Sequence, residues 1–167
     1  AASVYRYHSA GSLVGTSSAR FQILATKGAL LALSETEDHA SAKYEIVIGA
    51  NNNQESYIRN GNQGYNQVKN TAAAPFLNSS SYQDFWVSWA TGAEIRVGKG
   101  TTIGSGQLMA HARRGNDVDI RFLMLSMDWG AGAGSWRVCE AAVECVPQSC
   151  AVLAFAPPER SLPLPAN

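Results

Sequence analysis

The 167-residue chain has no excess charge of either sign, since thirteen Lys and Arg meet thirteen Asp and Glu for a formal net charge of +0. A polyanion such as nucleic acid, or an anionic membrane surface, finds no complementary field on such a chain. Long apolar runs are also missing: the densest, from Gly28 to Ser34, falls far short of the ~20 residues that a membrane-crossing helix needs. No bilayer insertion is expected. Charged residues are scarce at 16%, while apolar residues reach 46% and glycines number 15. That balance excludes a disordered or coiled chain and fits a sheet-rich protein with many turns. The length accommodates one domain with a tail. No Met opens the chain, and Ala1-Ala2-Ser3 is what signal cleavage or trimming leaves, of which a mature secreted protein is the simpler expectation.

Cysteine is sparse as well. Cys139, Cys145 and Cys150 are spaced too widely for a Cys-x-x-Cys redox or zinc pair. In an oxidising compartment an odd count gives one internal bridge and one sulfur for a second copy of the chain, which predicts a disulfide-linked homodimer. Asn78-Ser79-Ser80 matches an N-glycosylation acceptor.

What the chain does contain is a succession of short runs rich in Val, Ile, Tyr, Phe and Trp, set between Gly, Asn and Ser clusters. No helical period is sustained. Strands are expected at 4–7, 19–25, 29–34, 43–49, 55–60, 66–70, 85–89, 93–98, 106–113, 118–126 and 135–139, with turns at Lys27-Gly28, Asn60-Gly61, Thr91-Gly92 and Gly115-Asn116. The fold class is therefore all-β, an antiparallel two-sheet sandwich of jelly-roll type. Glu45 and Arg121 interrupt apolar runs and are expected to face water, and of Trp86 and Trp89 one is expected in the core and one at the surface. Residues 1–139 form the sandwich. Residues 140–167, with prolines at 157, 158, 163 and 165, read as an appended arm.

Motifs for catalysis are lacking. Gly130 to Ser135 is followed by a strand pattern rather than the helix a dinucleotide fingerprint requires. Gly98-Lys99-Gly100-Thr101 has neither the spacing nor the hydroxyl of a phosphate loop. His8, His39 and His111 have no zinc-site spacing, and no nucleophile elbow is present. Oxygen-rich loops are more informative, because calcium takes six to eight oxygen ligands. They occur at Glu35 to Asp38, Asn51 to Glu55, Asn60 to Gln63, Asn116 to Asp119 and Asp128. None has the ligand spacing of an EF-hand.

Leu31-Ala-Leu-Ser34, Tyr44-Glu-Ile-Val-Ile-Gly49, Ser56-Tyr-Ile-Arg59, Phe85-Trp-Val-Ser-Trp89, Ile95-Arg-Val-Gly98 and the stretch from Ser126 to Trp136 resemble, in order and spacing, the domain named after farnesoic acid O-methyltransferase. The resemblance implies a jelly-roll module of secreted and adhesive proteins, similar to some invertebrate lectins, including a calcium-using, galactose-binding one. The family name implies methyl transfer, yet no strand–helix–strand pattern for S-adenosylmethionine is present.

If each strand crosses its sheet once, the loops bearing Asn51 and Asp128 share one end with the loop leading to Asp84. Calcium is then expected on Asn51, Asn53 and Asp128, with Glu55 and Arg59 hydrogen-bonding a terminal galactose-type glycan and Trp129 either stacking on the sugar or anchoring the core. The opposite end gathers an alternative metal cluster of Glu35, Glu37, Asp38, Asp117 and Asp119. The function expected is a secreted, dimeric, non-catalytic agglutinin. A structural or adhesive module binding protein is the alternative, and methyl transfer a second one.

Overall fold

The computed structural model describes residues 7–38, 41–90, 94–113, 120–128, 130–139 and 150–155. Two six-stranded sheets face each other. Sheet A runs in the order β1 (His8–Ser12), β10 (Phe122–Met127), β3 (Ala29–Ser34), β4 (Ala42–Gly49), β5 (Glu55–Asn60), β6 (Asn66–Asn70). Sheet B runs β12 (Cys150–Phe155), β11 (Gly134–Cys139), β2 (Ser18–Ala25), β7 (Gln83–Ser88), β8 (Glu94–Lys99), β9 (Gln107–Ala112). Every described pairing is antiparallel. The expected jelly-roll-type sandwich is thus the fold.

Period-two alternation builds the core. In β2, Ala19, Phe21, Ile23 and Ala25 turn inward while their neighbours stay partly exposed, and they meet Leu31, Leu33, Tyr44, Ile46, Ile48 and Ile58 of sheet A. Trp136 and Phe21 pack at 5.4 Å, and Phe21 stacks on Phe85 at 6.0 Å. A second, smaller cluster of Tyr7, Leu30, Ala32, Val47 and Met124 lies on the other face of sheet A. Hence β3 reads as a continuous apolar run, buried on both sides.

Three expectations are corrected. Trp86 and Trp89 are both buried: Trp86 lies on the outer side of sheet B, but its indole donates to the Ser105 carbonyl at 2.7 Å, so the β8–β9 loop covers it. Glu45 does not face water, being 0% exposed. The sandwich does not end at 139 either, because β12 pairs with β11 along its length, setting Cys150 opposite Cys139. The remainder of the expected arm, 140–149 and 156–167, lies outside the described residues, as do Cys145 and most of the expected first strand.

Candidate functional site

The outer face of sheet A is apolar and closed over β10, β3 and β4, and becomes polar and more open over β5 and β6. Alternation along β5 puts Glu55, Tyr57 and Arg59 outward, and the register places Glu45 and Asn66 on either side of Arg59 and Val47 and Lys69 on either side of Tyr57. Glu45 is the keystone. Its carboxylate accepts from the Tyr7 hydroxyl, from Arg59 Nη1 at 2.9 Å and from the Gln63 amide at 3.2 Å. A buried carboxylate is tolerated only when paired and hydrogen-bonded in this way.

Arg59 is held from three sides. Besides the Glu45 ion pair, its Nε donates to Asn66 Oδ1 at 3.1 Å and its Nη2 to the Tyr57 hydroxyl oxygen at 2.9 Å. Because Tyr57 and Asn66 accept through oxygen, the phenol hydrogen and the Asn66 amide hydrogens stay available as donors. Burial raises the Tyr57 phenol above its ordinary value, with Asp128, Glu45 and Glu55 adding to the rise and Arg59 opposing it. The phenol therefore remains a neutral donor at physiological pH. Lys69 Nζ meets Glu55 Oε1 at 2.7 Å, and this hydrogen bond, together with that from Asn51, holds the Glu55 carboxyl below its ordinary value against the opposing effect of desolvation. One residue before Asn66, Tyr65 stands 92% exposed. The face thus carries fixed polar groups, and the segment leading into β6 carries an exposed aromatic ring.

The loops expected to share one end do so. Gly28 donates to the Gly49 carbonyl, Asp128 to that of Gly28, and Ala25 to that of Asn78. Asn51 donates to Glu55 Oε1 at 3.2 Å, which joins those two residues, and the Asp128 charge adds to the rise of the Tyr57 phenol. Asn53 does not join them. Its Oδ1 accepts from the Phe76 and Leu77 amides at 3.1 and 2.9 Å, and its Nδ2 donates to the Leu77 carbonyl at 2.8 Å. Both lone pairs of that oxygen are used. Trp129 lies outside the described residues.

The asparagine run has another cause. Asn51, Asn52 and Asn53 have φ of 48°, 56° and 67°, a left-handed turn linking β4 to β5 that non-glycine residues other than Asn and Asp enter at a cost. The expected calcium site fits these residues poorly: Asn53 is committed to the loop, Asn52 Oδ1 accepts from Lys27 Nζ at 3.2 Å, and Glu55 is ion-paired. Among the described residues no group of three or more His, Cys, Asp and Glu could hold a metal. At the opposite end, Glu35 pairs with Lys43 at 3.0 Å, and the Asp38 carbonyl accepts from the Ser41 amide at 3.0 Å. Glu37 is exposed there, and Asp117 and Asp119 are outside the described residues.

Sequence reasoning missed Glu45, Tyr57, Asn66, Lys69 and Tyr65. The signal was a charged residue inside the apolar run Tyr44 to Ile48, facing an arginine in the next strand.

The fold is a two-sheet antiparallel β-sandwich whose outer sheet A face carries a hydrogen-bonded polar network over β4, β5 and β6. Residues 2–142 match the farnesoic acid O-methyltransferase family, and the chain belongs to that family. No curated protein matches it in sequence. Among solved structures, human galectin-16 carrying two substitutions is similar, with a TM-score of 0.49 and 9% identity over 92% of this chain and 93% of its own. That likeness carries no argument about ligands.

Proposed function

We propose that the chain is a secreted, non-catalytic carbohydrate-binding protein whose outer sheet A face, across β4, β5 and β6, takes a terminal galactose-type sugar. The observation that carries this reading is the Glu45–Arg59–Asn66–Tyr57 network beside the exposed Tyr65. Sugars are bound by fixed hydrogen-bonding groups that meet vicinal hydroxyls and by aromatic rings that meet their apolar C–H face. Here Asn66 and Tyr57 supply donors, Arg59 is immobilised by a buried carboxylate, and Tyr65 supplies the ring. Galactose among sugars is what the family resemblance implies.

Calcium was the expectation from the oxygen-rich loops. Given the commitments of Asn53 and Glu55, we propose instead that the hydrogen-bonding network suffices, so that a chelator leaves binding intact. A second copy of the chain, joined through the odd cysteine, would double the sites and raise avidity. Cys139 is disulfide-bonded, and three cysteines leave one sulfur outside an internal bridge.

The test is calorimetric titration with methyl galactoside, glucose and mannose, in chelator. Saturable galactoside binding that Tyr65→Ala and Asn66→Ala each weaken about tenfold supports the reading. No binding to any sugar rejects it in favour of an adhesive module that binds protein. Methyl transfer, which the family name implies, is tested by S-adenosylmethionine: a raised melting temperature at millimolar cofactor would favour it, because a native-state ligand stabilises the fold.

A further inference from the structure

The outer face of sheet B carries a second constellation. In register across β12, β11, β2 and β7 stand Val152, Arg137, Gln22 and Asp84. The Arg137 guanidinium lies 3.7 Å over the Tyr82 ring, and the Tyr82 hydroxyl is tied to Ser135 Oγ at 2.7 Å. Gln22 Nε2 donates to Asp84 Oδ1 at 2.8 Å, which turns its amide oxygen toward Arg137 Nη1, 3.5 Å away. The arginine is thus oriented by stacking and by a neutral amide.

Among the described residues Arg137 forms no ion pair, and its Nε–H is buried without an acceptor. A guanidinium carries five donors in a planar fork that matches a carboxylate bidentately. With Nε covered by protein, the Nη1/Nη2 edge is the one that can receive such a group. Beside it Val152 is 57% exposed, an apolar surface on the scale of a methyl group. The described charged residues of these four strands are Arg20, Arg137 and Asp84, two positive against one negative, which suits a ligand with one carboxylate better than a dense polyanion.

We propose that this face is a second saccharide site, in which Arg137 takes the carboxylate of an acidic sugar and Val152 packs against its N-acyl methyl. The site extends the carbohydrate-binding reading but shares no residue with the sheet A face. Either can fail alone.

The experiment is a titration of isotope-labelled protein with the methyl glycoside of N-acetylneuraminic acid, with glucuronate, and with an acetylated glutamate peptide at equal carboxylate concentration. The expected result is saturable amide shifts at Gln22, Ser135, Arg137 and Val152 with the neuraminate, weaker ones with glucuronate, which lacks the acyl group, and weaker ones with the peptide. Arg137→Gln is expected to weaken neuraminate binding about tenfold or more, and Arg137→Lys is not expected to restore it, since lysine has no fork. Val152→Asp, at an exposed position, tests the same surface should the arginine variants fold poorly, and is expected to weaken binding similarly. Tyr65→Ala should leave these shifts unchanged. No saturable shift with the neuraminate overturns the proposal, as do equal binding by Arg137→Gln or Val152→Asp and tighter binding of the peptide.

Discussion

At the scale of single residues, the same asparagines read two ways. As oxygen donors, Asn51 and Asn53 resemble metal ligands; in the folded chain Asn53 ties the β4–β5 turn to the loop at Phe76 and Leu77 through three hydrogen bonds. Asn53→Ala is therefore expected to destabilise the fold by about 2–4 kcal/mol, from lost hydrogen bonds and a left-handed backbone without its tolerant residue. Urea denaturation measures this; a metal-ligand role would instead leave stability unchanged and abolish calcium binding. Glu55 gives the pH dependence. Its folded carboxyl titrates below the ordinary value because Lys69 hydrogen-bonds the charged form. The pair is therefore intact above the ordinary glutamate range and is lost as pH falls through the lowered value. Carboxyl NMR titration should place the Glu55 midpoint below the ordinary glutamate value, and Lys69→Met should move it upward.

At the scale of elements, strands were legible wherever alternation or a dense apolar run met a turn signal. The segments 29–34, 55–60 and 66–70 are strands as read, and most others shift at their ends by a few residues. β12 was not legible, because its prolines lie close behind it and its ladder to β11 joins residues separated by the whole 140–149 segment. Deleting the chain from Cys150 onward should expose the free edge of β11 and the covering of Trp136, lowering the melting temperature rather than merely removing a tail. The burial of Trp86 was hidden for a similar reason, since a loop and not a sheet covers it. Gly98 permits that cover: a Cβ there would stand 2.2 Å from Trp86 Cε2. Gly98→Ala is expected to cost about 1–3 kcal/mol by overpacking, with loss of tryptophan near-ultraviolet circular dichroism as its signature.

At the scale of the molecule, the sandwich presents two outward sheet faces with different chemistry. On sheet A a buried carboxylate fixes an arginine in a neutral, hydrogen-bonding surface. On sheet B, among the described residues, Arg137 has no ion-pair partner and stacks on Tyr82. Of the candidate site residues, Glu55 and Arg59 were named from the sequence, whereas Glu45 and Tyr57, on strands equally legible, came into view only once register set them opposite Arg59 and Lys69. Avidity would come from a second copy. Electrophoresis without reductant is expected to show a species of twice the chain mass that collapses on reduction, and a monomer under both conditions would remove the covalent dimer.

The central claim is that a galactose-type sugar binds the β4–β6 face through a network that needs no metal. The most direct test is to titrate isotope-labelled protein with methyl galactoside in the presence of chelator. The account predicts saturable shifts concentrated at Glu45, Tyr57, Arg59, Tyr65 and Asn66. Shifts that appear only with calcium and centre on Asn51 and Asp128, or no shifts at all, would contradict it.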